Sequence, residues 1–139
     1  MQKEIIKKLL DLQDFILHKV EIIANRVFLW IIPKERCFIC PYCWQTSCMY
    51  YDKREIMVED LPIHNKRTFI YLFRYRFFCK TCSRVVTADS DIVEPYHRYT
   101  KRYEEYIGLL CQKMTIKDVS DLTCLRWNTI KEIDKYYIK

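Results

Sequence analysis

Cys40-Pro41-Tyr42-Cys43 and Cys79-Lys80-Thr81-Cys82 are two C-x-x-C pairs on a chain of 139 residues, and the way they are spaced decides how the chain folds. A C-x-x-C turn sets two sulfurs on one side of a tight knuckle. Two knuckles brought together by a hairpin make the tetrahedral four-thiolate cage that structural Zn²⁺ favours. The excursion between them carries two strand candidates, Met49 to Asp60 and Arg67 to Phe78, joined through Leu61-Pro62-Ile63-His64-Asn65, where Pro62 and Asn65 supply turn chemistry. The pattern predicts a zinc ribbon in which Cys40, Cys43, Cys79 and Cys82 hold one structural Zn²⁺. Three other readings compete with it. Cys40-Pro41-Tyr42-Cys43 is also the active-site string of glutaredoxins, although the amphipathic helix and later glycine pair of that fold are missing from the pattern. Cys37, Cys40, Cys43 and Cys48 could be iron–sulfur ligands, with a last gap one residue too long for the bacterial ferredoxin run. The first knuckle could also slide to Cys37 and Cys40, which spacing alone leaves open. Cys48, Cys111 and Cys124 read as small core residues.

Outward from the knuckles, the strand entering Cys79 places Phe69, Tyr71, Phe73, Tyr75 and Phe77 on one face and Ile70, Leu72, Arg74 and Arg76 on the other. So many aromatics are expected to be buried against the N-terminal elements. Upstream, Ile5, Leu9, Leu12 and Ile16 recur at helical spacing and predict an amphipathic helix over the first ~16 residues. Val20 to Ile23 and Arg26 to Ile32 then read as a tight hairpin turning at Ala24-Asn25. Downstream, a short Val85-Val86-Thr87 strand leads through Asp89 and Asp91 to Pro95, where the pattern changes from period two to helical.

Thr100 is a candidate cap for a helix with Tyr103, Ile107, Leu110 and Met114 inward. Thr115 and Asp118 make a capping-box-like start to a short helix carrying Ile116, Val119 and Leu122. A third helix holds Trp127, Ile130 and Ile133. Together these form a helix-turn-helix pattern. The fold class expected is α+β: an N-terminal helix, hairpin and β-rich zinc ribbon over residues 1–94, then a helix-turn-helix bundle over residues 95–139.

Composition narrows the function. Lys and Arg total 24 against 18 Asp and Glu, a formal charge of +6 that favours an acidic partner, nucleic acid first. From His64 to Arg84 there are six basic residues and no acid. Residues 96–139 carry nine basic and six acidic side chains, a modest excess for a DNA binder. Lys66, Arg67, Arg74, Arg76, Lys80 and Arg84 are expected to balance, in part, the −2 charge of a four-thiolate zinc site. One Gly and four Pro argue against glycine-rich phosphate loops. The longest apolar run, Val27 to Ile32, has six residues against the ~20 that cross a bilayer, and nothing resembles a secretory signal. No membrane association and a cytoplasmic location follow as expectations, with the cysteines as thiols or metal ligands before disulfides. His18, His64 and His97 read as polar surface.

In this order, the segments resemble one family, the bacterial insertion-sequence transposases of the IS-L-three type, in the part preceding their catalytic domain. The resemblance rests on the Cys40 to Cys43 knuckle, on Tyr51-Asp52-Lys53-Arg54 with Asp60-Leu61-Pro62, and on Arg74-Tyr75-Arg76-Phe77-Phe78-Cys79. It continues through Asp118 to Ile133 with Trp127 early in the third helix. It covers nearly the whole chain and favours Cys40 with Cys43 over the slid register. It implies a zinc-dependent DNA-binding module that recognises the terminal inverted repeats of its element in double-stranded DNA, serving transposition and recombination. A homodimer is compatible with that reading. The family's RNase-H-like catalytic domain would begin after Lys139, so no enzyme activity is expected of the chain by itself. Where the family has glycine after each knuckle, this chain has Trp44 and Ser83. Cys124 takes the place of a turn glycine, and Arg126 that of a capping Ser.

A helix-turn-helix sets its last helix in the major groove. With Trp127, Ile130 and Ile133 inward, Arg126, Asn128, Thr129, Lys131 and Lys135 are left to face DNA, Asn128 and Lys131 as base readers. Arg74 and Arg76 of the ribbon are expected to add phosphate contacts. The competing functions are a regulatory or protein-interaction zinc ribbon that binds no DNA, and a glutaredoxin-like thiol oxidoreductase.

Overall fold

Two hairpins with left-handed turn residues build the sheet on which everything else is mounted. The computed structural model describes residues 2–34, 37–88, 92–94 and 97–137. Its elements run α1 (Gln2–Leu9), β1 (Phe15–Ile23), β2 (Arg26–Pro33), β3 (Phe38–Ile39), β4 (Thr46–Ser47), β5 (Tyr50–Ile63), β6 (Lys66–Cys79) and β7 (Arg84–Thr87), followed by α2 (Lys101–Lys113), α3 (Ile116–Thr123) and α4 (Trp127–Tyr137). The architecture is α+β. Ala24 starts the β1–β2 turn at φ 52°, and His64 and Asn65 make the β5–β6 turn at φ 48° and 62°. Two successive left-handed residues match the twist of a two-residue hairpin.

The strand order is β1-β2-β6-β5, with β2 running parallel to β6 and every other pairing antiparallel. The central strand, β6, pairs along one edge with β5. Its other edge is shared between β2, at residues 67–71, and β7, at residues 76–79. One face of the sheet bears the core: Leu17, Val27, Leu29, Ile31, Val58, Ile70 and Leu72, closed over by Leu12 and Val93.

The first helix is half the expected length. Asp11 enters the left-handed region at φ 55° while the Leu12 N–H returns to the Lys7 carbonyl, so α1 stops and the chain continues as β1. Phe15 and Ile16 are strand partners of Pro33 and Ile32. Ile5, Leu9 and Ile16 are exposed as a result, and the residues that do pack are Ile6, Leu10 and Leu12. Sheet pairing overrides helical periodicity here.

The aromatic face is corrected as well. It is the Ile70 and Leu72 face that is covered. Of the aromatic set only Phe69 and Phe77 are buried; Tyr71, Phe73 and Tyr75 are half-exposed. They stack along the sheet, Trp30 on Tyr71 at 4.8 Å and Phe28 on Phe69 at 5.5 Å, with Lys53 over Phe73 at 4.4 Å.

The helical part has its own core of Tyr103, Ile107, Val119, Leu125, Ile130 and Ile133. Both expected caps form: the Thr100 hydroxyl accepts from the Tyr103 N–H, and the Thr115 hydroxyl from the Asp118 N–H. Met114 and Leu122, expected inward, are exposed, and Glu104 and Gly108 are buried instead. The change of pattern placed at Pro95, with Asp89 and Asp91 before it, lies outside the described residues.

Candidate metal centre and nucleic-acid surface

Each knuckle sits in a short hairpin. The first hangs between β3 and β4, where the Cys40 N–H donates to the Gln45 carbonyl at 2.9 Å and the Trp44 N–H to the Cys40 carbonyl at 2.8 Å. The second closes β6 to β7, with Cys79 opposite Arg84. The residue after each second cysteine has a positive φ, Trp44 at 62° and Ser83 at 52°. Those are the two positions where the resemblance expects glycine. The Ser47 hydroxyl donates to the Phe78 carbonyl at 2.7 Å, and Phe38 stacks on Phe77 at 4.8 Å, so the first hairpin is fastened to the end of β6.

Docking the hairpins brings the sulfurs of Cys40, Cys43, Cys79 and Cys82 within 4.8 Å of one another. Cys43 and Cys79 are 3.4 Å apart and Cys40 and Cys82 3.9 Å. A tetrahedron with zinc–sulfur bonds of ~2.3 Å has edges of about 3.8 Å, so the group fits one Zn²⁺. Cys40 and Cys79 are buried against Val86, and Cys43 and Cys82 are half-buried. Burial pushes the Cys40 thiol up, but the Tyr42 and Cys43 N–H groups and the neighbouring sulfurs outweigh it and bring it down to about 7. Cys82 is pushed up to about 12 by its bond with Cys43 and by burial. Cys40 is brought down while Cys43 and Cys82 are pushed up, so charging all four sulfurs calls for a cation among them.

Two expectations about cysteine fail. Cys37 and Cys48 form a disulfide across the base of the β3–β4 hairpin, which brings their Cα atoms to 4.3 Å. Cys48 is therefore neither a thiol nor a core residue. It is exposed, as is Cys124, while Cys111 is half-buried against the helical core. The disulfide also removes the iron–sulfur set and the slid register, both of which need Cys37. The glutaredoxin context is missing too, because the chain after Cys43 enters β4 and the cysteine pair faces Cys79 and Cys82.

The second group of candidate residues lies on α4. Its N-terminal approach turns at Cys124, which holds the left-handed conformation at φ 62°, and Arg126 stands directly before the helix without a capping hydroxyl. Ile130 and Ile133 are buried. Trp127 is not: it is 50% exposed, and the Lys131 ammonium lies 5.6 Å from its ring centre. Thr129 is half-buried toward Tyr99. Trp127 is offset from Ile130 by about 60° around the helix, and the flank on the other side of Ile130, with Thr129 toward Tyr99, is the one that packs. Arg126, Asn128, Lys131 and Lys135 are exposed, with Trp127 among them.

Two family models match stretches of the chain that contain these two groups of residues. The helix-turn-helix domain of transposase family ISL3 matches residues 88–138, and the zinc-finger of transposase IS204/IS1001/IS1096/IS1165 matches residues 36–82. The chain carries the zinc-ribbon and helix-turn-helix regions of ISL3-type transposases. A transposase for insertion sequence element IS1001 from Bordetella parapertussis is 24% identical over 107 residues, which are 77% of this chain and 26% of that protein. The chain thus spans about a quarter of the length of that ISL3-type relative. No solved structure matches it.

Asp60-Leu61-Pro62 has a structural role that its sequence does not announce. Asp60, 3% exposed, accepts from the Thr100 hydroxyl at 2.7 Å and from Arg102 Nε at 2.8 Å, and Arg102 also donates to the Leu10 carbonyl. The Asp60 carboxylate holds the Arg102 guanidinium pKa above its ordinary value. Leu61 packs into the helical core, and the Glu59 N–H donates to the Arg98 carbonyl. One end of β5 is therefore clamped to the start of α2, which fixes the helix-turn-helix to the sheet. The sequence signal for this clamp is an acidic residue near a strand end, four positions before His64, the first residue of the turn.

The cations expected around the knuckles divide into two groups. Lys66 and Arg67 stand at the far end of β6, about 40 Å from Cys79 by strand rise, and Arg67 donates to Glu59. They balance no thiolate charge. Arg84 lies close, over the Tyr42 ring at 4.8 Å. Arg76 donates to Asp52, and Arg74 donates to the Glu94 carbonyl at 3.1 Å. His97, expected on the surface, is half-buried with Nδ1 2.9 Å from the Glu104 carboxylate. Among the described residues no helix is long and apolar enough to cross a membrane.

Proposed function

We propose that this chain is a zinc-dependent DNA-binding module that recognises the ends of a transposable element in double-stranded DNA. Cys40, Cys43, Cys79 and Cys82 hold one structural Zn²⁺, which supplies a fixed cross-link between two hairpins and takes no part in bond cleavage. The role of these residues is binding. Its setting is cytoplasmic.

The observation that carries the reading is the exposed row Asn128, Lys131 and Lys135 on the last helix of a helix-turn-helix unit that Asp60 locks to the ribbon, with Arg126 exposed directly before that helix. In that row Asn128 and Lys131 are the base readers, and Arg126 and Lys135 hold phosphates. Thr129 turns toward Tyr99 and is set aside as a contact. Trp127 joins the surface, where its ring supports Lys131. Two such units on an inverted repeat would bind as a symmetric pair.

Selection from a pool of random-sequence duplexes, followed by gel shift across a salt series, tests this. The expected result is recovery of a shared motif that also occurs as an inverted pair at element termini, with affinity falling steeply in salt and lost on chelation of zinc. Failure to shift any duplex at low salt would contradict it and leave the protein-interaction reading of the ribbon.

A further inference from the structure

Beyond the core, the covered face of the β5–β6 ladder turns from apolar to cationic. Ile56 and Val58 give way along β5 to Arg54, and Ile70 and Leu72 give way along β6 to Arg74 and Arg76. This part of the face opens into a groove of about 960 Å³ between the ribbon and the segment leading into α2. Its lining includes Lys53, Arg54, Arg74, Arg76 and Arg98, against the acids Asp52 and Glu55.

Arg54 and Arg74 are direct cross-strand partners. Two like charges opposite one another destabilise a ladder. The neighbouring pair is resolved internally, because Arg76 donates to its own partner Asp52. The Arg54–Arg74 pair is not: Arg74 reaches only a backbone carbonyl, and among the described residues neither Arg54 nor Arg98 forms an ion pair. Such an arrangement is stabilised by an anion arriving from outside. The groove also runs up to the recognition helix, since His97 lines it and packs edge-on against Tyr136 of α4 at 5.3 Å. Guanidinium groups in a row, continuous with an exposed basic helix, match successive phosphates of a nucleic-acid strand.

We propose that this groove is a sequence-independent phosphate track. It holds one backbone strand of the same DNA duplex that α4 reads, with Arg54, Arg74 and Arg98 as its contacts. The inference rests on the DNA-binding reading above and adds a second contact surface, away from α4, which joins ribbon and helices into one footprint.

The test is the salt dependence of binding of the zinc-loaded chain to a labelled random-sequence duplex, for Arg54→Ala, Arg98→Ala, the double variant, and Lys8→Ala on α1 as a control of equal charge loss. Each groove variant is expected to lower the log–log salt slope by about 0.9 and the double variant by about twice that, uniformly across sequences, whereas Lys8→Ala leaves the slope unchanged. Arg54→Ala is expected to keep its zinc and melt no lower than the parent, because it relieves the like-charge pair. A parent-like slope in the groove variants, or a decrease equal to that of Lys8→Ala, overturns the track while the role of α4 survives. If the parent chain binds no duplex, both readings fall. Arg54-dependent binding of poly-glutamate with no Arg54 dependence on duplex would assign the groove to an acidic protein partner and also overturn the proposal.

Discussion

The ribbon and the helix-turn-helix reach order by different physics. The helical part buries six apolar side chains around Ile107 and Ile130, and its helices start on caps that are local and cheap to form. Among the described residues the far end of the ribbon buries Cys40, Cys79 and Val86 as a cluster, too little apolar surface to hold two small hairpins together. Four converging sulfurs take the place of a core there. One half of the molecule should therefore survive changes that dissolve the other, and the link between them should be separable from both.

The largest expected effect is loss of a sulfur. Cys79→Ser leaves a three-thiolate site, and because metal binding and folding are one equilibrium in such small units, zinc content and ribbon structure are expected to vanish together. The helical circular-dichroism signal should persist. Metal analysis beside a thermal melt checks this, and concurrent loss of the helical signal would show that the two halves fold as one unit.

Next in size is the clamp. Asp60→Ala removes the acceptor of both Thr100 and Arg102 and leaves a guanidinium against a buried wall. Breaking a buried charged pair costs about 3–5 kcal/mol; with Arg102 a third exposed, about 2–3 kcal/mol is expected, read by urea denaturation. Zinc content should not change. A loss below 1 kcal/mol would mean the clamp is not what sets the halves relative to one another.

A smaller effect belongs to the recognition row. Lys131→Ala is expected to weaken duplex binding by about 1 kcal/mol with zinc and melting temperature unchanged. An unaltered affinity would move the base-reading surface off α4. Smallest of all is the Cys37–Cys48 disulfide, which closes a hairpin the metal already closes. Cys37→Ser is expected to lower the melting temperature slightly in the zinc-loaded chain and more in the chelated one. Equal shifts in both states would show that disulfide and metal act independently.

What could be read from the sequence follows the same contrast. The knuckles, both long strands, the Thr100 and Thr115 caps and the strained positions Trp44, Ser83 and Cys124 are local features, each dictated by a few neighbouring residues, and the structure has them where expected. Facing decisions were harder because periodicity gives two faces without saying which is covered. The number of β6 aromatics favours burying their face and helical spacing groups Trp127 with Ile130 and Ile133, yet Leu12 and the chain around Val93 cover the opposite face of the sheet, and the Thr129 side of α4 packs. Contacts made at a distance were not legible at all. Nothing near Asp60 announces Arg102, and Cys37 and Cys48 meet only because two two-residue strands pair between them.

Zinc stoichiometry with sulfur coordination, measured on the purified chain before and after chelation, tests the central claim most directly. The expected result is one zinc per chain bound by four sulfurs, with the ribbon melting out when the metal is withdrawn. A metal-free chain that keeps its melting profile, or disulfides among Cys40, Cys43, Cys79 and Cys82, would contradict it.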